Sequence, residues 1–330
     1  MKHPNRHARR TFLRKAAAAA AASLTLGMPA LSNAQSYPAQ PVQIVVPFPA
    51  GGIVDNVTRK LGTQLTATLG QPIVVENKAG AGGSIGAAQV ARAKPDGYTL
   101  LSAFDTHAVN PLLYKLPFDN DDLQPVALVA TSPLVLVIHP SVPVQSVEEL
   151  VALAKAKPEA LNYASTGSGS SNHLTAELFK TMSGASMQHI AYKGGAPAIT
   201  DIVGGQVQVM FVSVTSVLSH IRSGKLRPLA VTSREKIAAL PEVPPIGNTY
   251  PGFEVYSWVG LLAPAKVPTG LITQLNTQVN AALKTPEIRK FLEDQSLYPA
   301  GGTPEQFGTF MKAETQKWGN IIRQQNIKVE

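Results

Sequence analysis

Residues 42–55 read VQIVVPFPAGGIVD, and this pattern sets the architecture expected for the rest of the chain. The stretch opens with an apolar, largely β-branched run, Val42 to Val46, which stops at Pro47. After a glycine pair, apolar residues recur at every fourth position from Val57 to Leu69. The stretch therefore predicts a strand, a glycine loop and a helix.

The same order of elements returns further along the chain. A second apolar run over 73–75 precedes another glycine loop and a helical pattern up to Ala93, and 98–103 reads as the next strand. Strands joined by helices in this way usually pair in parallel. We expect an α/β protein built from parallel βαβ units.

A second series begins near Pro133. Its expected strands are 134–138, 161–164, 188–192 and 207–211, with helical patterns between them. Residues 241–252 hold four of the 26 prolines and indicate a connection between domains. After it come an expected strand, 258–262, and helical patterns over 268–283, 286–292 and 304–325. We predict two domains, 35–133 with 256–330, and 134–255.

Composition and charge exclude several classes of protein. The chain has 330 residues, 44% hydrophobic and 15% charged, which is typical of a folded protein and not of a disordered or collagenous one. Six of its 29 basic residues and none of its 21 acidic residues fall in 1–34, so the remainder is close to neutral. The net charge of +8 is therefore no evidence for a nucleic-acid surface.

The N-terminal 34 residues predict a cleaved export signal. A basic region precedes an apolar segment from Ala16 to Leu26, and Ser32 and Ala34 are small residues in the positions that define a cleavage site. Arg9-Arg10 resembles a twin-arginine motif, although Ala8 replaces the usual hydroxyl residue, and the Sec route stays open. We predict cleavage after Ala34 and a periplasmic protein. Cysteine is absent, so no thiol can serve as nucleophile, metal ligand or lipid anchor.

Four glycine loops lie between an expected strand and a helix. In the first, Phe48-Pro49-Ala50-Gly51-Gly52, a ligand could approach backbone N–H groups at a helix start, which favours an anion site. The alternative is a tight turn with Asp55 as helix N-cap. The second, Gly80 to Gly86, has Ile85 where a dinucleotide fingerprint needs glycine or alanine, which favours close helix packing or a turn.

The third and fourth loops combine hydroxyls, glycines and one cation. In the third, Thr166-Gly167-Ser168-Gly169-Ser170, hydroxyl and backbone donors suit carboxylate oxygens. The alternatives are simple helix capping and a serine nucleophile, although no Gly-x-Ser-x-Gly elbow is present. The fourth, Tyr192-Lys193-Gly194, places Lys193 where it could steer an acidic ligand. The histidines His107, His139, His189 and His220 do not fall at metal-ligand spacing, so we expect no metal and no cofactor.

These motifs, in their order along the chain, resemble a known receptor family. PFPAGG (47–52), VVENKAGAGG (74–83), PDGYTL (95–100), HAVNP (107–111), LNYAS (161–165) and YKGGAPA (192–198) closely resemble the Bug-type receptors of tripartite tricarboxylate transporters. The resemblance covers nearly all of the chain after the leader. It implies a two-domain periplasmic binding protein that closes like a flytrap over a small organic carboxylate and delivers it to a membrane permease.

The resemblance also implies a ligand site. Its loops would contribute Phe48, Pro49, Ala50, Gly51, Gly52, Asp55, Phe104, Thr106, His107, Thr166, Gly167, Ser168, Gly169, Ser170, Tyr192, Lys193 and Gly194. Val212, where many relatives have Asp or Asn, and Phe104 favour a ligand with an apolar body, such as an aromatic or longer dicarboxylate. Asp55 leaves an amino-bearing ligand open. We expect a monomeric receptor and no enzyme; contact with a sensor kinase is left open, and a hydrolase using Ser168 or Ser170 is the alternative.

Overall fold

The computed structural model describes residues 37–329, so the predicted export signal over 1–34 lies outside the described residues. The strands of the described part are β1 (Val42–Val46), β2 (Ile73–Asn77), β3 (Thr99–Phe104), β4 (Leu123–Ile138), β5 (Asn162–Ser165), β6 (Gln188–Ala191), β7 (Val209–Ser213), β8 (Arg227–Val231), β9 (Tyr256–Pro264) and β10 (Tyr298–Pro299). The α-helices are α1 (Ile53–Leu69), α2 (Ser84–Ala91), α3 (Thr106–Leu113), α4 (Val147–Ala156), α5 (Ser171–Ser183), α6 (Gly195–Val203), α7 (Val214–Arg222), α8 (Thr269–Leu283), α9 (Pro286–Asp294) and α10 (Pro304–Gln324).

The first sheet has the strand order β2-β1-β3-β9-β4, with β10 added along β4. Strand β1 pairs in parallel with β2 and with β3, as the βαβ pattern predicts. Strand β9 lies between β3 and β4 and runs antiparallel to both. The sheet therefore takes its inner strand from a segment far along the chain; the sequence predicted this strand, in one domain with 35–133, but not its position between β3 and β4.

The second sheet has the order β4-β7-β5-β6, and β8 also pairs with β4. Strand β5 pairs in parallel with β6 and β7. Strand β4, however, runs antiparallel to β7 and β8. The parallel pairing expected of βαβ units is therefore not found at β4, because this strand enters from the first sheet.

Strand β4 serves both sheets. It begins at Leu123, ahead of the expected start at Leu134, and it passes through two prolines. Its register with β9 shifts beside Pro125, whereas Pro133 stands opposite Tyr256. From Leu134 onward the strand pairs with β7. One continuous strand thus changes its partners at the point where the sequence suggested a new beginning.

Apolar side chains form separate cores beside the two sheets. The first contains Val45, Leu101, Trp258, Leu262 and Phe307. One core of the second sheet contains Val135, Ala164, Met210, Val217 and Ile237. A further cluster joins Phe179 and Phe211 of the second sheet to Trp318 and Ile322 of α10. The C-terminal helix therefore packs against both halves of the molecule.

Local chemistry explains where several elements begin and how closely they pack. Ser146 caps α4, since its hydroxyl accepts a hydrogen bond from the Glu149 amide at 3.2 Å. At Gly86, a Cβ would lie 2.9 Å from the Pro47 Cβ and 3.1 Å from the Lys78 carbonyl oxygen. The second glycine loop thus leads into close helix packing, the reading its spacing favoured. Among residues 37–329, no helix is both long and apolar enough to cross a membrane.

Candidate functional site

A cavity of about 380 Å³ lies where elements of both sheets meet. The start of α1 forms one part of its wall and the start of α7 another, while β4, β9 and the segment after α9 complete it. Its lining residues are Gly51, Ile53, Asn56, Phe104, Ser132, Leu134, Ser213, Thr215, Ser216, Ser257, Trp258, Val259, Gln295 and Leu297.

The walls of this cavity combine hydroxyl and amide groups with apolar side chains, and none of the lining residues is formally charged. Two helix starts contribute to the wall: Gly51 and Ile53 at α1, and Ser213 and Thr215 at α7. Neither N-cap residue, Gly52 or Ser213, caps its helix with a side chain. Helix starts carry unpaired N–H groups and partial positive charge, so the cavity can hold an anion without a lysine or arginine.

The first glycine loop reaches this cavity through Gly51. Gly51 has φ +82°, and a Cβ there would meet nothing within 4 Å. Gly52, with φ −73°, is the N-cap of α1. The alternative reading of Asp55 as N-cap is therefore wrong: Asp55 lies inside the first turn, where its Oδ2 accepts a hydrogen bond from the Gly51 amide at 2.9 Å.

Asp55, in the first turn of α1, holds the first glycine loop through the Gly51 amide. The carboxylate is 2% exposed, lies 3.0 Å from the Arg59 guanidinium and accepts a hydrogen bond from Asn77 Nδ2 at 2.9 Å. Burial acts to raise the pKa of Asp55, but the hydrogen bonds from Arg59, Gly51 and Asn77 outweigh it and lower the pKa. Because these partners already satisfy the carboxylate, Asp55 is poorly placed to pair with a ligand ammonium group.

The other predicted residues of the first sheet gather beside the same loop. The rings of Phe48 and Phe104 meet edge to face, with centroids 5.7 Å apart. A much smaller niche of about 10 Å³ is lined by Phe48, Phe104, Thr106 and His107. Burial lowers the pKa of His107 to about 4, so the imidazole is neutral at physiological pH. Pro49 and Ala50 are exposed at the loop tip.

The start of α7 is a part of the cavity wall that the sequence analysis missed. Ser213, Thr215 and Ser216 all line it. The available signal was a hydroxyl-rich stretch directly after a strand, the same pattern that singled out the third glycine loop. Val212 is buried in a core of the second sheet and does not line the cavity, so the expectation that it makes the cleft less polar is wrong.

The third and fourth loops lie next to each other at the ends of β5 and β6. The Tyr192 amide donates to the Ser165 carbonyl at 3.1 Å, and a Cβ on Gly195 would lie 3.8 Å from Thr166 Cγ2. Burial raises the pKa of Tyr192 to about 12, and the hydrogen bond from its hydroxyl to Asp201 acts in the same direction. These loops do not line the cavity; of the predicted residues within 37–329, only Gly51 and Phe104 do. Ser168 and Lys193 are exposed in these loops. The φ angles of Gly167, Gly169 and Gly194 are positive.

One hydrogen bond joins the third loop region to the first sheet. Ser171, the first residue of α5, donates from Oγ to Asp105 Oδ2 at 2.7 Å. Asp105 follows β3 and is 4% exposed. Burial raises the pKa of Asp105 to about 6. Hydrogen bonds from Ser171 and Ser257 act in the opposite direction but are outweighed by burial. No lysine or arginine pairs with this carboxylate in the described part of the chain.

The serine-rich loop has the geometry of a helix cap. Ser170 Oγ donates to the Gly167 carbonyl at 2.6 Å and accepts from the His173 amide at 3.4 Å. Over residues 37–329, no histidine side chain bonds to Ser168 or Ser170, so neither has the general base that a serine nucleophile requires. Within the same range, no three acidic or histidine residues are arranged to hold a metal ion.

Comparison with known proteins defines the class. Residues 57–327 match the family model of the tripartite tricarboxylate transporter family receptor. The BugT protein of Bordetella pertussis is 39% identical over 311 residues, which cover 93% of this chain and 95% of BugT. The chain belongs to the tripartite tricarboxylate transporter receptor family, the Bug-type receptors, and is a binding protein and not an enzyme.

Solved structures share the fold over almost their full length. The periplasmic binding protein BugD is 34% identical, with a TM-score of 0.73 over 89% of this chain and 100% of BugD. Rpa4515 of Rhodopseudomonas palustris, solved with adipate, is 33% identical, with a TM-score of 0.77 over 88% and 99% of the two chains. MatC from the same organism, solved with malate, is 29% identical, with a TM-score of 0.71 over 87% and 100%. The fold is thus the two-domain periplasmic binding protein fold.

Proposed function

We propose that this receptor binds a small dicarboxylate in the cavity between its two halves and delivers it to the membrane permease of a tripartite tricarboxylate transporter. The observation that carries the proposal is the cavity itself, in which two helix starts from different sheets meet hydroxyl and amide side chains and no fixed charge. The dicarboxylates adipate and malate in two structural relatives support it.

The cavity favours a dicarboxylate with an apolar body. Phe104, Leu134 and Val259 provide apolar wall between the polar groups of the two helix starts. At about 380 Å³, the cavity is at the small end of the range of roughly 300–1,000 Å³ for small-molecule sites. Adipate or an aromatic dicarboxylate such as phthalate fits this description, whereas Asp55 is too well satisfied to favour an amino acid.

The two halves are proposed as closing domains, 35–133 with 256–330 and 134–255. The partner change within β4 at Leu134 and the start of β9 at Tyr256 support these limits. The third and fourth loops, outside the present cavity, would reach the ligand on closure. In solution, small-angle scattering should then show a smaller radius of gyration with ligand than without it; an unchanged radius at saturation would contradict closure.

Calorimetry with adipate, phthalate and their diamides tests the ligand class. Because a hydrogen bond to a charged group contributes roughly 1.5–3 kcal/mol, losing charge at two or more donors should weaken binding at least ~100-fold. Equal affinities for acid and diamide would overturn the proposal of an anion site. We propose the periplasm as the location, after cleavage at Ala34, which intact mass of exported protein would check.

A pair of variants tests the position of the site. Ser216→Asp places a carboxylate at the start of α7, in the cavity wall, where it should repel the ligand and abolish binding. Ser219→Asp adds the same charge to the same helix, outside the cavity, and should bind like wild type. If both variants bind equally well, the start of α7 does not contact the ligand.

A further inference from the structure

Two imidazole rings are stacked directly beneath the third glycine loop. The rings of His173 and His189 are parallel within 7°, with centroids 3.9 Å apart. The Tyr163 ring continues the stack, 4.9 Å from His189. His173 is buried, with 6% exposure, and His189 is half-buried, so the stack packs beneath the loops of the second sheet.

Each imidazole is hydrogen-bonded to the part of the chain that shapes the loop. The Gly169 amide donates to His173 Nδ1 at 3.0 Å. His189 Nε2 lies 2.6 Å from Ser165 Oγ, and that oxygen accepts from the Gly167 amide at 3.1 Å. Since His173 Nδ1 accepts a hydrogen bond, the proton of this imidazole is on Nε2 and the ring is neutral.

We propose that His173 and His189 are positioning residues for the third glycine loop. As neutral rings they fix the backbone of Gly167 to Ser170, and protonation of His173 releases this backbone. A protonated His173 carries hydrogens on both nitrogens, so Nδ1 can no longer accept from Gly169. The effect on ligand binding rests on the proposed function. The coupling between the His173 ring and the third loop is independent of any ligand.

The groups facing the stack act in both directions: His189 and Lys180 oppose protonation of His173, whereas the charge of Glu177 favours it. From α5, Glu177 faces the rings, but it already accepts from Tyr163 Oη and from Lys180 Nζ, the latter at 2.7 Å. Lys180 repels a further positive charge, and a second imidazolium at 3.9 Å would do so more strongly. From β5 the contacts are Tyr163 and Ser165, and from β6 His189 itself.

The direction of the pKa shifts agrees with this geometry. Burial, followed by the charge of His189, lowers the pKa of His173 to about 4, and burial lowers the pKa of His189. A histidine with a lowered pKa stabilises the folded loop fully above its ordinary value near 6.5. That contribution is lost as the pH falls from there towards 4, so acid should loosen the loop.

Nuclear magnetic resonance on the ligand-free protein tests the coupling. In wild type, the Gly169 amide resonance should move with the same midpoint as the His173 ring, below pH ~6.5. His173→Asn places Oδ1 near the position of Nδ1 and does not titrate, so the acid movement of Gly169 should disappear. His139→Asn is the matched control, because His139 Nδ1 also accepts a hydrogen bond from a backbone amide, that of Ser141 at 3.2 Å. This control should leave the Gly169 titration unchanged.

Binding of adipate at neutral pH tests the consequence. His173→Leu removes the acceptor and should weaken binding roughly tenfold, whereas His173→Asn should keep it within about threefold. A His173 titration that leaves the Gly169 amide unmoved would overturn the inference, even if His173→Leu fails to fold. Coupling without any carboxylate binding would instead overturn the proposed function and leave the positioning role intact.

Discussion

The first and third glycine loops occupy equivalent places, each after a strand and before a helix, but they are held by different chemistry. A buried, ion-paired carboxylate, Asp55, holds Gly51 in the first loop. In the third loop, neutral imidazoles and a serine hydroxyl hold Gly167 and Gly169. A similar run of small residues therefore says little about how a loop is supported, because the support comes from residues outside it.

Removing the carboxylate of Asp55, which holds the first loop from the first turn of α1, should give the largest effect. Asp55→Ala removes the acceptor of the Gly51 amide and one of the two acceptors of Arg59 and of Asn77, and it should lower the free energy of unfolding by about 2–3 kcal/mol. Asp294→Ala is the matched control, since its pair with Lys290 has the same i,i+4 spacing but is largely exposed. Urea unfolding should place this control within about 0.5 kcal/mol of wild type. Similar losses in both variants would show that burial of the first pair is unimportant.

Asp105 is a buried carboxylate that has no lysine or arginine partner within residues 37–329, and it can be compared with the ion-paired Asp55. Its pKa of about 6 in the fold exceeds the ordinary 3.8, so the stability that goes with its protonation is complete below pH 3.8 and lost as the pH rises through 6. Asp105→Asn should therefore raise the free energy of unfolding by about 2 kcal/mol at pH 8 and leave it nearly unchanged at pH 4. Chemical unfolding at the two pH values measures this difference, and a destabilised variant at pH 8 would contradict it.

The smallest expected effect concerns the cap of the third loop. Ser170→Ala should cost about 1 kcal/mol, the usual loss for an N-cap serine, and should also weaken adipate binding. Ser146→Ala removes the equivalent cap of α4 and should cost a similar amount without changing affinity. Thermal unfolding and calorimetry on both variants separate the two roles. Equal affinities would place the third loop outside the ligand site.

Much of the fold could be predicted because short-range patterns specify it. The strand at Val42–Val46 was predicted with its observed limits, and the helix expected over 304–325 differs by one residue from the observed Pro304–Gln324. Pairing direction and strand continuity could not be predicted. Pro133 lacks an N–H group and therefore suggested a break, yet it lies within β4.

The candidate site was predicted only in part, for a similar reason. Gly51 and Phe104 were found because they follow strands in glycine-containing or family-like motifs. Ser213 and Thr215 carry no glycine signal, and Gln295 comes from a segment after α9 that no local pattern relates to a binding site. Its position beside the cavity depends on tertiary packing, which brings its carbonyl oxygen 2.6 Å from Thr215 Oγ1.

The placement of β9 imposes an order on folding. The second sheet draws β5 to β8 from one continuous stretch, whereas the first sheet stays divided between β3 and β4 until residues 256–264 insert. The pairing of Leu101 with Leu262 closes a very long loop of chain, and such distant contacts slow folding. Until residues 256–264 pair with it, β3 has an unpaired edge, and such an edge favours association with another chain.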